Sequence, residues 1–346
     1  MPPSGAAQSV AGGGKRMMHM TKVEELAHFV TRATFEDLAQ ETVAALKLRV
    51  LDGLGCAFGA LDAELVAALA AHTEDLGGAP HCTLIGGGHT APDRAAFYNG
   101  ALVRYLDFND SYIAPGETCH PSDSLAAVLA AAEYAHATGE RLLTSLAVAY
   151  QVQCTLSDVA PVRAKGFDHT TQGAYAVAVG VSKALGLDAE QTANAIAMAG
   201  TSLNALRVTR TGDLSNWKGL AYPATAFGAT HAALLASHGV TGPAQVFEGN
   251  KGFMEAIAGP FDVDWGDAGL AAVTRTSVKP FNAEIHGQSA VEGILKLRRT
   301  HEVPAEDVAR IELDTFAVAY DIIGGGEEGP KLDIHTKEQA DHSLPY

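Results

Sequence analysis

A group of polar side chains interrupts an otherwise apolar part of the sequence just before a predicted helix. Asp107 and Asp110 supply two carboxylates, Ser111 supplies a hydroxyl, and His120 follows downstream. Pro121 suits the first turn of the helix, so His120 would lie beside a helix N-terminus, where anions are favoured. These residue types can transfer protons to and from an anionic ligand. They would equally serve a loop held by Asx turns and helix caps.

A second group concentrates positive charge in an acidic protein. Arg207, Arg210 and Lys218 fall within twelve residues and precede a long apolar segment. Such a group could hold an anionic ligand, although a solvated basic loop has the same composition.

A third group lies where a short strand is predicted to lead into a helix. Lys279, Glu284 and His286 occur there, close to a predicted domain boundary, and small-molecule sites commonly form between domains. His169 begins another predicted helix, where a capping role competes with a functional one. Tyr346 belongs to a polar C-terminal motif that by itself indicates no chemistry.

Several kinds of catalytic site are excluded by the motifs that the sequence lacks. There is no GxSxG or HExxH motif, no CxxC pair among the four cysteines, and no nucleotide-binding pattern in the glycine clusters at 86–88 and 324–326. Acid–base chemistry on an anion remains, and we expect neither a metal nor an organic cofactor.

Composition limits the class of protein. The 346 residues are 47% hydrophobic and 18% charged, which indicates a folded chain of about two domains. The net charge of −16 has the wrong sign for coating nucleic acid or an anionic membrane, so we expect neither partner. Isolated cysteines and the lack of a secretory or membrane-spanning segment predict a cytoplasmic protein. Residues 1–20 are predicted to form a flexible tail.

The elements that must position these side chains are mainly helices. Alanine-rich segments with helical spacing predict a helical domain over residues 21–265, and a smaller α+β unit is predicted over 266–346. In that unit, residues 273–278 and the alternating residues 308–318 are predicted strands. The predicted helices cover residues 122–137, 142–156, 173–185, 189–199, 220–238 and 285–298.

Six stretches of the sequence, in this order, resemble the MmgE/PrpD family from about residue 22 to the end. The stretches are RVLDGLGC at 49–56, AAFYNGA at 95–101 leading into DFND at 107–110, HPSD at 120–123, SNWKG at 215–219, NAEIHGQS at 282–289 and ADHSLPY at 340–346. The resemblance implies a mostly α fold with a large helical domain and a smaller α+β lid, the site between them, a homodimer, and metal-free chemistry on a di- or tricarboxylate.

The resemblance also implies roles for individual residues. It assigns His120, Lys279, Tyr346 and Asp107 to catalysis, with the identity of the base left open among the first three. It assigns substrate binding to a further set: Lys218, Ser111, His169, Arg210, Glu284 and His286.

The implied reaction is the loss of water from 2-methylcitrate or a close relative. Decarboxylases of the family carry a histidine where Glu284 stands here, so decarboxylation of cis-aconitate is the less favoured hypothesis. Epimerisation of a dicarboxylate, and carboxylate binding without turnover, also stay open as hypotheses. The family normally continues beyond the ADHSLPY motif, and we therefore expect the working protein to contain further residues after Tyr346.

Overall fold

The computed structural model describes residues 20–266 and 268–346. The expected tail at residues 1–19 lies outside the described residues. The prediction of a mostly α fold is confirmed, and each predicted helix is present with its ends shifted by a few residues. The helices are α1 (Lys22–Arg32), α2 (Gln40–Gly59), α3 (Glu64–Leu76), α4 (Pro92–Tyr105), α5 (Leu125–Tyr134), α6 (Gly139–Val159), α7 (Thr170–Leu185), α8 (Ala189–Ser202), α9 (Trp217–Ser237), α10 (Gln288–His301), α11 (Ala317–Ile323) and α12 (Lys337–Asp341).

Helix α7 is the centre of the helical core. It is almost entirely buried and packs against α5, α6, α8 and α9. Small side chains allow this close packing: a Cβ atom at Gly173 would lie 2.5 Å from Cε2 of Tyr222 on α9. The Tyr222 hydroxyl in turn donates a hydrogen bond to Gln153 Oε1 on α6, over 2.9 Å. The first residues of α7 are thereby fixed at the base of the candidate site.

Two short antiparallel hairpins are inserted between the helices. Strand β1 (Cys82–Thr83) pairs with β2 (His89–Thr90), and β3 (Tyr112–Ala114) pairs with β4 (Glu117–Cys119). The second hairpin connects Ser111 to His120, so these two residues lie side by side at its open end.

Both strand predictions for the C-terminal part are wrong. Residues 308–316 form no regular element, and their apolar side chains are exposed. Residues 272–275 form a 3₁₀ turn, after which Ser277 makes a single antiparallel bridge to Ser111. An alternating sequence forms a strand only when another strand completes its hydrogen bonds, and described residues 268–346 contain no such strand.

The C-terminal part is tied to the helical part next to the first polar group. Arg49 on α2 donates to the hydroxyl and to the carbonyl of Thr276, at 2.8 and 2.6 Å. Together with the bridge between Ser111 and Ser277, these contacts bring Lys279 onto the end of α4. Within the described ranges, no single helix is long and apolar enough to cross a membrane. Helices α2 and α3 pass that test only when taken together, and the pair is bent by 93°.

Candidate active site

The carboxylate of Asp107 is the centre of a buried ionic cluster. Asp107 follows α4 in a left-handed conformation, with φ of 51°, which few residues other than glycine adopt. Its Oδ1 atom accepts from Arg104 and, at 3.2 Å, from Lys279 Nζ. Its Oδ2 atom accepts from Lys218 Nζ at 3.0 Å and lies 3.5 Å from His342 Nδ1.

Three cations keep this carboxylate ionised inside the protein. Burial acts to raise the pKa of Asp107, but Arg104, Lys218 and Lys279 hold it well below its ordinary value. Burial lowers the pKa of Lys218, against the opposing effect of Asp107. The ammonium groups of Lys218 and Lys279 both donate to Asp107, and that of Lys218 also donates to Asp341 Oδ2 at 3.3 Å.

His120 is buried and held in one tautomer. Its Nδ1 atom lies 2.8 Å from the carbonyl oxygen of Asp110 and 3.0 Å from Ser111 Oγ. A carbonyl oxygen can only accept, so Nδ1 carries the hydrogen and Nε2 is left with its lone pair. Burial, reinforced by the charges of Arg104 and Lys279, lowers the pKa of His120 well below its ordinary value. A neutral imidazole of this kind can accept a proton.

His169 stands next to His120 in a different electrostatic environment. The two rings are 5.4 Å apart, edge to face. Nδ1 of His169 lies 3.2 Å from Asp168 Oδ1, and its Nε2 lies 3.8 Å from Asp123 Oδ2 without a hydrogen-bond partner among the described residues. Asp168 is in turn bound by Arg210, at 2.8 Å, and although burial acts to raise the pKa of Asp168, Arg210 and other cations lower it.

Two neighbouring cavities open onto this cluster. An inner cavity of about 30 Å³ adjoins an outer cavity of about 650 Å³, and both are lined by Glu117, Thr118, Arg163 and Arg207. The outer volume is in the range of small-molecule sites, whereas the inner volume is about that of one water molecule. The rest of the inner lining is Arg104, Asp107, His120, His169, Arg210, Glu284, Ile322 and His342.

The other predicted site residues lie at varying distances from the inner cavity. Glu284 lines it and accepts from His286 Nδ1 at 2.8 Å, while His286 faces the outer cavity. Tyr346 is 81% exposed and lines a third cavity of about 330 Å³, so this structure does not bring its hydroxyl to His120. Lys218, Lys279 and Ser111 contact lining residues without forming part of the wall.

Several residues of the site have no role assigned from the sequence. Asp168 and His342 are close neighbours, along the chain, of residues that do have an assigned role. Arg104 lies in the last turn of α4, three positions before Asp107, and the contact between the two side chains is a feature of the structure. Arg163 comes from a short turn without any motif, and only the tertiary structure identifies it. No three histidine, cysteine, aspartate or glutamate side chains within 20–266 and 268–346 are grouped so as to hold a metal ion.

Comparison with known proteins identifies the family. The MmgE/PrpD N-terminal domain matches residues 24–266, and the MmgE/PrpD C-terminal domain matches residues 281–346. The chain therefore belongs to the MmgE/PrpD family, as its motifs predict.

Several relatives are named as dehydratases. Alkylcitrate dehydratase phiI of a fungal species (strain ATCC 74256) is 30% identical over 362 residues, covering 94% of this chain and 68% of the relative. The 2-methylcitrate dehydratase of Escherichia coli (strain K12) is 28% identical, covering 74% and 55%. The mitochondrial 2-methylcitrate dehydratase of Yarrowia lipolytica (strain CLIB 122 / E 150) is 28% identical, covering 94% and 65%. This chain thus spans about half to two thirds of the length of these relatives.

Proposed function

We propose that this protein is a hydro-lyase that removes water from a tricarboxylate such as 2-methylcitrate by acid–base chemistry. The names of three relatives at 28 to 30% identity support this reaction class. The observation that carries the proposal is the neutral, buried imidazole of His120 on the inner cavity, which shares Arg163 and Arg207 with the outer cavity of about 650 Å³.

The first step is removal of a proton from the carbon next to a substrate carboxylate. His120 acts as the base through Nε2, because its Nδ1 hydrogen is committed to Asp110. Negative charge develops on the neighbouring carboxylate as the proton leaves. Arg104, Arg207 and Arg210 line the cavity and stabilise that charge, which is worth more in a buried site than in water.

The second step is departure of the hydroxyl group as water, which requires a proton. His169 lines the same cavity, its buried Nε2 atom has no hydrogen-bond partner in the described part of the chain, and Asp168 and Asp123 flank its ring. We assign His169 as the acid, because its ring lines the same cavity as His120 and is held through Nδ1 by Asp168.

The test is a parallel assay of one substrate panel. Dehydration of 2-methylcitrate, citrate or a longer alkylcitrate produces an alkene conjugated to a carboxylate, which absorbs in the ultraviolet. Alkene formation that depends on the protein supports the proposal. Release of carbon dioxide from cis-aconitate would show decarboxylation instead. Loss of optical rotation by a chiral dicarboxylate, without formation of an alkene, would show epimerisation. Citrate binding without turnover of any substrate would contradict an enzymatic function.

A further inference from the structure

The side chain of Glu328 binds Arg163 and Arg207, the two arginines that line both cavities. Glu328 is 4% exposed, and its Oε1 atom accepts from Nη2 of Arg163 at 3.0 Å and from Nη2 of Arg207. Its Oε2 atom is buried without a partner among the described residues. A buried carboxylate with only one hydrogen-bonded oxygen is unusual, because buried polar atoms in proteins are normally paired.

The position of Glu328 relative to the cavities is informative. Arg163 and Arg207 line both the inner and the outer cavity, whereas Glu328 lines only the outer one. The arginines therefore separate His120 from Glu328. A ligand carboxylate that binds the pair would lie in the same position as the glutamate or directly opposite it.

Binding of a polyanion at this cluster is favoured when an internal anion gives up its cations to the ligand. Asp107 and Asp168 are each held by several cations through both oxygens. Among the described residues, Glu328 accepts hydrogen bonds through only one of its two oxygens. Unlike the two aspartates, it lies in a glycine-rich segment. A tricarboxylate replaces Glu328 at smaller cost than it replaces either aspartate, because fewer contacts are broken.

The local backbone lets the glutamate side chain move without unfolding its segment. The backbone nitrogen of Glu328 donates to Asp321, and its carbonyl accepts from Gly212. Gly325 and Gly329 flank it with φ of 95° and 98°, which close the turn. The adjoining outer cavity of about 650 Å³ has room for the carboxylate after a rotamer change.

We propose that Arg163 and Arg207 form a carboxylate-binding subsite, and that Glu328 occupies it until a carboxylate of the ligand displaces the glutamate. Only the class of ligand, a di- or tricarboxylate, rests on the proposed function. Glu328 then lowers the apparent affinity for that ligand, because the subsite is open for part of the time.

The experiment measures binding of tricarballylate by calorimetry. This tricarboxylate lacks a hydroxyl and cannot be dehydrated, so its binding reports on the subsite independently of turnover. Glu328→Gln keeps the size and removes the charge of the side chain, and we expect about tenfold tighter binding, as for a subsite that is open about a tenth of the time. Arg163→Gln should weaken binding at least tenfold. Glu306→Gln is the control, because Glu306 is exposed, lines neither cavity and loses the same charge.

The results also separate this proposal from a merely structural ion pair. If Glu328→Gln binds tricarballylate no more tightly than wild type while its melting temperature falls, the pair serves stability alone and the proposal is wrong. Failure of the wild-type protein and of every variant to bind tricarballylate would also overturn the proposal. Should Glu328→Gln fail to fold, Glu328→Asp, which retracts the charge by one methylene, is expected to bind tighter than wild type, and unchanged or weaker binding would overturn the proposal. Tighter binding of tricarballylate by Glu328→Gln, with no alkene formed by the wild-type protein, would support the subsite and contradict the proposed dehydratase reaction.

Discussion

The Nδ1 atom of His120 lies 2.8 Å from the main-chain carbonyl oxygen of Asp110. The two residues are ten positions apart, and the β3–β4 hairpin between them returns the chain to its starting point. The Asp110 side chain secures the same turn, because its Oδ1 atom accepts from the backbone nitrogen of Ser122 at 3.1 Å. The fold thus determines which nitrogen of His120 is free to accept a proton.

Replacing His120 tests its assignment as the base. His120→Gln keeps a hydrogen-bonding side chain but cannot accept a proton, so kcat should fall about a hundredfold or more with a small effect on KM. Steady-state kinetics with 2-methylcitrate measures both constants. His28→Gln, at an exposed position on α1, is the control and should leave them unchanged. Full activity of His120→Gln would show that another group is the base.

The buried histidines should make stability depend on pH. Burial, with the nearby charge of Lys218, lowers the pKa of His342 well below 6.5 in the folded state. The unfolded chain therefore takes up a proton near pH 6.5 that the folded chain does not, and stability falls as pH decreases below 6.5. The expected slope is up to about 1.4 kcal/mol per pH unit for each such histidine.

Urea unfolding between pH 7.5 and 5 measures that slope. Other groups contribute to it, including Asp110, whose pKa burial raises and which acts in the opposite direction. The comparison with His342→Gln isolates one histidine, and the variant should show the smaller slope. Equal slopes would mean that His342 takes up its proton equally in both states.

Asp107 should be important for stability as well as for the site. Asp107→Asn leaves Arg104, Lys218 and Lys279 buried around a neutral side chain. Removing one partner of a buried ionic cluster costs about 3 kcal/mol of unfolding free energy. Urea unfolding measures this loss. Asp262→Asn breaks the exposed pair with Lys22 and should leave stability unchanged. A similar small effect at both positions would contradict the central role of Asp107.

Activity is expected to be independent of added metal. Proton transfer is assigned to His120 and His169 and charge stabilisation to arginines, so no step of the proposal requires a metal ion. Prolonged dialysis against a chelator should leave the rate of alkene formation unchanged. Loss of the rate, with recovery on addition of iron or magnesium, would replace the acid–base scheme.

The sequence predicts the helical framework well because its signals are local. Helical spacing, mostly in alanine-rich segments, locates α5 to α10, and local capping residues such as Asp188 agree with it. The strand prediction at residues 308–318 fails because a strand depends on a partner elsewhere in the chain, which alternation cannot reveal.

Part of the site is predictable from the residue types and motifs of the sequence. His120, His169, Asp107, Arg210 and Glu284 were named from the sequence, and all five line the inner cavity. Arg163 was not predictable, since its role comes from a contact with Glu328, 165 positions away. The direction of the Lys218 and Lys279 ammonium groups, toward Asp107, is likewise a tertiary property that residue type does not encode.

The most direct test of the proposed reaction is the ultraviolet absorbance of the protein with 2-methylcitrate, measured side by side for wild type and His120→Gln. We expect steady alkene formation by the wild type and a rate at least about a hundredfold lower for the variant, with tricarballylate binding retained by both. Absence of alkene from the folded wild-type protein on every alkylcitrate, or equal rates for the two proteins, would contradict the assignment of His120 as the base of a dehydratase.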